Sequence, residues 1–326
     1  MSGNRWGVGT AWLALGLLLL VRVAYAADDW QRRLYSPTFM QKIDGKWIIV
    51  DCWHSRIIWD TRLDKDLTHW HTLESAYSAH DVVFDGRKYW VTEDSEHRAI
   101  VFYIFSNGVF HEAARLSNLG TRPHHLAYDS KSGSFLLLAA TSGDMWRIRM
   151  QNGQPTIVHH TRLSFAQPEK SGFEIRSFTL HDGHFYFVSS IATQKIYVTT
   201  DDDSYRVVQT IDVPKLFADM QDLYFFPGGK VFITAWPDSV ALVNRIEDVT
   251  IAKNAFAGLG FRGSPYDVSP YAGDFIIPEI GSVDGVALWR YANGQLSKIR
   301  DLTPFSAPHQ SDIAKKALIH FDVATK

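Results

Sequence analysis

The sequence predicts an all-β fold, a six-bladed β-propeller with four antiparallel strands per blade. Three observations predict it. No segment of the body of the chain carries the apolar spacing of a long amphipathic helix. Short runs rich in β-branched and aromatic residues, broken by Gly, Asn and Asp, fill it instead. One such unit then recurs six times at a nearly even spacing.

The recurring unit is a turn glycine, a four- or five-residue apolar strand, and a position that is acidic or small. It appears as DGKWIIVD (44–51), DGRKYWVTE (85–93), SGSFLLLA (132–139), DGHFYFVS (182–189), GGKVFITA (228–235) and AGDFIIPE (272–279). The glycines are Gly45, Gly86, Gly133, Gly183, Gly229 and Gly273, separated by 41, 47, 50, 46 and 44 residues. Downstream, Asn107-Gly108, Asn152-Gly153 and Asn293-Gly294 each follow a Trp- or Tyr-containing strand and precede another. Asn-Gly is a hairpin signal because both positions tolerate positive φ. These hairpins supply the third and fourth strands of their units. Radial repetition of four-stranded units is the propeller arrangement. The run ALIHFDV (317–323) is left over and is expected to pair with the first blade, closing the ring and removing an exposed edge.

Residues 1–26 read as a secretory signal peptide. Arg5 is the basic element, Ala11 to Val21 the apolar run, and Ala24-Tyr25-Ala26 the small-residue cleavage site. The apolar run is short for a bilayer, so no stable membrane span is expected after cleavage. Residues 27–326 then form one propeller domain. Cys52 is the single cysteine, so no internal disulfide can form, and there is no N-x-[ST] sequon. A secreted or periplasmic location is expected, with bacterial periplasm favoured. The net charge of -2 and the lack of a basic patch give no reason to expect nucleic acid.

The hairpin SAHDVVFDGRKYWVTEDS (78–95) brings His80 and Asp81, at its start, beside Glu93 and Asp94, at its end. In a blade, strand one starts and strand two ends on the same face, near the mouth of the central channel. Read on all six units, the strand-one starts are Phe39, His80, His124, Arg176, Gln221 and Tyr266. The strand-two ends are Asp51, Glu93, Ala139, Ser189, Ala235 and Glu279. The acids fall on blades six, one and two, and the His/Arg residues on blades two, three and four. A polarised pocket at the mouth follows, in the loops of a rigid frame.

His80 and His124, with Glu93, Asp51 or Glu279, form a candidate metal set. Imidazole with carboxylate suits zinc, manganese or iron, and carboxylates alone suit calcium. The competing reading has the histidines bonded to loop backbone. Arg176 can bind a substrate carboxylate or stabilise an oxyanion, or it can pair with Glu174. Tyr266 can act as a general acid or pack a turn. Asp81, Asp222 and Asp267 recur at one equivalent position, which points to a structural role accepting backbone N–H groups. Cys52 has no predictable base nearby. No serine elbow, phosphate loop, Rossmann fingerprint or haem-attachment motif occurs, so no nucleotide, flavin or haem is expected.

His80-Asp81-Val82-Val83-Phe84-Asp85-Gly86 with Tyr89-Trp90-Val91-Thr92-Glu93-Asp94 resembles a blade of the six-bladed NHL and gluconolactonase-like propellers. Pro123-His124-His125-Leu126-Ala127-Tyr128-Asp129 repeats the likeness. The resemblance implies a divalent metal at the channel mouth. The hydrolases of that group take a first-blade glutamate as ligand, where this chain has Ser36-Pro37-Thr38-Phe39. Its amidating lyases use histidine-bound zinc with an arginine and a tyrosine. His80, His124, Arg176 and Tyr266 are similar in type, with His309 as a third histidine. The functional expectation is a metal-dependent hydrolase or lyase acting on a small organic substrate. The alternative is a non-catalytic scaffold that binds a protein, glycan or small ligand on a propeller face.

Overall fold

The computed structural model describes residues 34, 36–73, 76–190, 192–227, 229–257, 263–272, 274–280 and 287–301. The signal segment, Gly273, His309 and the run 317–323 lie outside the described residues. The chain folds into six antiparallel sheets, each continuous in sequence, in the six-bladed propeller arrangement. Blade one has strands Pro37–Ile43, Lys46–Asp51, Arg56–Asp60 and His71–Leu73. Blade two has Val83–Phe84, Tyr89–Asp94, Ala99–Ser106 and Val109–Leu116; blade three has Pro123–Asp129, Ser134–Ala139, Asp144–Gln151 and Gln154–Arg162. Blade four has Ile175–His181, His184–Ser189, Lys195–Thr200 and Val207–Asp212. Blade five has Asp219–Phe225, Val231–Trp236 and Ser239–Val243, followed by a 3-10 helix, Ile246–Ile251. In blade six the first strand is split into Ser264–Pro265 and Ser269–Tyr271, both paired with Asp274–Ile280, before Ala287–Ala292 and Gln295–Asp301.

The Asn-Gly pairs sit at the outer hairpins as expected. Asn107 and Gly108 have φ of 51° and 82°, so both central residues are left-handed, as a type I′ turn requires.

Six apolar clusters hold the ring, one at each blade interface. Phe39, Val50 and Trp59 of blade one meet Val82, Trp90 and Tyr103 of blade two. Phe102 of blade two packs edge-on to Phe135 of blade three at 5.4 Å. Leu136 and Leu138 meet Phe178 and Phe185. Val188 and Ile196 meet Leu223 and Val231. Phe232 meets Phe275 at 4.5 Å. Met40, Trp47 and Ile49 of blade one meet Ile276 and Leu288 of blade six, which closes the ring. Each fully buried side chain of this kind is worth about 1.5–3 kcal/mol. Among the described residues no helix is long and apolar enough to cross a membrane.

One device repeats at the start of strand one. Pro37 pairs with Asp51, and Phe39 with Val50, leaving Thr38 as the extra residue of a bulge. His124 is the extra residue between Pro123 and His125. Arg176 is the extra residue between Ile175 and Ser177, and Gln221 between Met220 and Asp222. A bulge puts two residues opposite one and re-aims a side chain locally. Blade six carries the same one-residue surplus between Pro265 and Ser269.

Candidate active site at the channel mouth

The bulges deliver side chains to the central channel. His80, His124, Arg176, Gln221 and Tyr266, from five blades, line one pocket. The residue after four of them lines it too: Asp81, His125, Asp222 and Asp267. Blade one differs from the sequence reading. Its bulge residue is Thr38, whose hydroxyl donates to the His80 carbonyl at 3.1 Å. Phe39 pairs with Val50 and joins the core, because the bulge lies one residue earlier than expected.

At the mouth, the His80 and His124 rings stack at 3.9 Å. The Tyr266 hydroxyl bridges them, 3.3 Å from His80 Nδ1 and 3.0 Å from His124 Nε2. His80 Nε2 lies 3.8 Å from the sulfur of buried Cys52. Burial pushes the Cys52 thiol well above its ordinary range, so it is no ready nucleophile. Burial, and then the neighbouring His80, hold His124 well below the ordinary imidazole value, so it is neutral near pH 7. His124 is 3 % exposed. Among the described residues its Nδ1 has no hydrogen-bond partner, and neither has Gln221 Oε1 in the same pocket. Burial raises the Tyr266 phenol.

Arg176 belongs to a charged network. Its Nε lies 2.9 Å from Glu174 Oε2, and Arg122 pairs with the other oxygen of Glu174. Burial raises the Glu174 carboxyl, but Arg122 and Arg176 outweigh it and hold the group below its ordinary value. The Nη2 of Arg176 is 4.0 Å from Asp219 Oδ1, beyond hydrogen-bond distance. Burial raises Asp219. Arg176 also reaches the Tyr266 hydroxyl. Arg176 therefore makes the ion pair with Glu174 and also lines the pocket.

Deeper in the channel, His125 Nδ1 pairs with Asp81 at 2.7 Å, and its Nε2 lies 3.1 Å from the Phe178 carbonyl. Asp81 Oδ2 accepts Leu126 N of blade three, and Asp222 Oδ2 accepts Val268 N of blade six, each at 3.1 Å. Asp81 and Asp222 are thus backbone acceptors, as the repetition suggests, but they bridge to the following blade; Asp267 instead accepts the Ser269 hydroxyl at 2.6 Å. Burial, and then Asp222 and Asp81, push Asp267 well above the ordinary carboxylate value, and it hydrogen-bonds Asp222.

His125 gives a pH prediction. Burial lowers it, but Asp81 outweighs burial and holds it at about 9. Its folded value lies above the unfolded one, so its stabilisation is complete below about pH 6.5. It is lost as pH rises towards 9, by ~3 kcal/mol at most. Asp267 acts in the same sense. Urea melts from pH 6 to 9.5 are expected to show falling stability, with a flatter slope in His125→Gln. A wild-type slope in that variant would refute the assignment.

The carboxylates of the expected metal set are not at this cluster. Glu93, fully buried, accepts the backbone N–H of Asp81 at 3.0 Å and that of His80 on the same oxygen. Burial and then Asp81 raise it well above its ordinary value. Asp51 accepts Ser36 N and Arg56 Nε, both at 2.9 Å, and pairs with His54 at 2.5 Å. Burial works to raise Asp51, but His54 and Arg56 outweigh it and lower it. Glu279 accepts Trp289 Nε1 at 2.6 Å. Asp51 and Glu279 are thus engaged by loop backbone and neighbouring side chains, whereas Glu93 uses one oxygen on backbone and its buried Oε2 has no hydrogen-bond partner among the described residues. Among the described residues no three His, Cys, Asp or Glu side chains converge as a metal site would require. The expected set of His80 and His124 with Glu93, Asp51 or Glu279 is not gathered into one such site among the described residues.

Arg122 and Asp219 escaped the sequence reading. A signal existed, because each lies two residues before a bulge residue, as Glu174 does before Arg176. Residues two apart on a strand share a side. Arg122 also has φ of 60°, uncommon for a residue with a side chain.

The space left between the pocket side chains is about 10 Å³ for the centre of a water-sized sphere. That is room for about one water. Anything larger must lie above the cluster or move it.

No family model matches the chain, and no curated protein matches it in sequence. Solved structures do match in shape. One is a Bacteroides uniformis ATCC 8492 protein proposed to be a 6-phosphogluconolactonase: 12 % identity, TM-score 0.57, 82 % of this chain and 85 % of that one. A Bacteroides fragilis NCTC 9343 protein with the same proposed activity gives 12 % and 0.57, covering 82 % and 84 %. Saccharomyces cerevisiae Sqt1 gives 10 % and 0.55, covering 84 % and 87 %. At such identities the likeness shows the propeller fold alone.

Proposed function

We propose that the protein is a hydrolase of a small organic anion, working by general acid–base chemistry at the channel mouth. One observation carries the reading: the Tyr266 hydroxyl is hydrogen-bonded to both His80 and His124, beside the Arg176 guanidinium. Proton-exchanging groups joined in this way, in a dry site next to a fixed cation, suit acyl-group hydrolysis. Neutral His124 takes a proton from water as the water oxygen attacks the acyl carbon of an ester or lactone. Tyr266 and Arg176 donate to the oxyanion. The tetrahedral intermediate collapses by breaking the bond to the leaving oxygen, which receives the proton from His124. The names of the two Bacteroides neighbours, a hydrolase activity, agree with this class.

The test is a turnover screen of the purified protein against esters and lactones that carry a carboxylate or phosphate. Expected is hydrolysis of at least one class, lowered at least a hundredfold in His124→Gln. Turnover of none would overturn the reading. A second reading, a non-catalytic ligand-binding propeller, is favoured by the one-water cavity. It predicts binding of such anions without product.

We also infer export, with residues 1–26 removed, from the Arg5, apolar and Ala24-Tyr25-Ala26 pattern. N-terminal sequencing of protein from a periplasmic or culture fraction should begin at Ala27. A start at Met1 would count against it.

A further inference from the structure

The rim of blade five carries an indole that the acid–base cluster does not use. Trp236 ends strand two and is 42 % exposed. Of the described tryptophans it alone is exposed. Its ring takes part in no hydrogen bond or ring contact among the described residues.

The register fixes its neighbours. Trp236 pairs directly with Asp219 across the strands. Residues directly opposite one another lie on one side of a sheet. Asp219 faces blade four, because its Oδ1 is 4.0 Å from Arg176 Nη2. Trp236 therefore stands on the side of blade five that looks towards Arg176. Among the described residues the same Asp219 oxygen, itself buried, has no hydrogen-bond partner, and neither has buried Gln221 Oε1 in the pocket below. The rim thus presents an unengaged aromatic face, and beneath it lie two buried oxygen acceptors and the Arg176 guanidinium.

We propose that the mouth takes a ring-bearing organic acid, with the ring face against Trp236 and the carboxylate on Arg176. This deepens the hydrolase reading and rests on its placement of Arg176 at the substrate anion. A ring face is attracted to an indole whether it is aromatic or the C–H face of a sugar. A ring hydroxyl would donate to Asp219, the cross-strand partner of Trp236. Arg122 and Arg176 against Glu174, with Asp219 raised by burial, leave the network able to accept an anion. The ring need not enter the one-water space, because Trp236 is on the rim.

The experiment is calorimetric titration of the full purified protein with acetate, benzoate and galacturonate. Acetate tests the anion site alone, and the other two separate an aromatic from a sugar ring. At least one ring acid is expected to bind three- to tenfold more tightly than acetate, the range an aromatic contact supplies. Trp236→Ala, at a side chain outside the apolar clusters that hold the blades, should remove that preference and leave acetate unchanged. Arg176→Gln should weaken all three. Equal affinities for ring acids and acetate, or a preference that survives Trp236→Ala, would overturn the ring platform while leaving the anion site standing. Binding of none of the three would overturn the placement of the anion site as well.

Discussion

Tyr266→Phe is expected to lower kcat about a hundredfold for any ester or lactone found in the turnover screen, with little change in KM. The substitution removes one hydroxyl and keeps the ring. That hydroxyl bonds both His80 Nδ1 and His124 Nε2. Loss of a positioned proton donor costs about 10²–10⁴ in rate. Loss of a buried hydrogen bond costs only about 1 kcal/mol in stability. His124→Gln should lose at least as much turnover. The pH profile separates the two. Burial and the adjacent His80 keep His124 well below its ordinary value, so the acid limb of kcat/KM should fall below pH 6.5. That limb should survive Tyr266→Phe and vanish in whatever activity His124→Gln retains. An unchanged kcat in Tyr266→Phe would remove the hydroxyl from the chemistry.

The second large effect is on stability. Glu93→Ala is expected to cost about 3–5 kcal/mol, whereas Glu93→Gln should stay within about 1 kcal/mol of wild type. One oxygen of Glu93 receives the backbone N–H groups of both His80 and Asp81. Alanine strands both donors and leaves a void, and a buried donor without an acceptor costs about 1–3 kcal/mol. Glutamine keeps the carbonyl oxygen. Burial and Asp81 already favour the protonated acid, so little charge is lost. Denaturant melts of the two variants check this. Equal losses would mean that the carboxylate charge itself matters there, as a metal ligand's would.

That contrast also marks how far the sequence could be read. The turn glycines and Asn-Gly hairpins are local chemistry, and they located the blades. His80, His124, Arg176, Gln221 and Tyr266 were legible as strand-one starts because each opens a repeated unit. Thr38 was not, since the bulge that singles it out is a backbone event shifting the frame by one residue. Glu93, Asp51 and Glu279 were placed at the correct end of strand two. Their direction was illegible, because a residue's place on a strand does not say whether its side chain meets the axis, a loop or the next blade. Arg122 and Asp219 needed the spatial neighbour, Glu174 and Arg176 of the adjoining blade, before their positions meant anything.

The bulges also bear on how such a protein diverges. Each adds one residue at the axis without entering the apolar layers between blades, and the residues it presents include threonine, histidine, arginine and glutamine. Those positions lie apart from the apolar wedges that hold the ring. A descendant can exchange one residue per blade and acquire new chemistry on an unaltered frame. Two rings of the same shape, sharing about 12 % of their residues, can therefore be close in architecture and remote in trade.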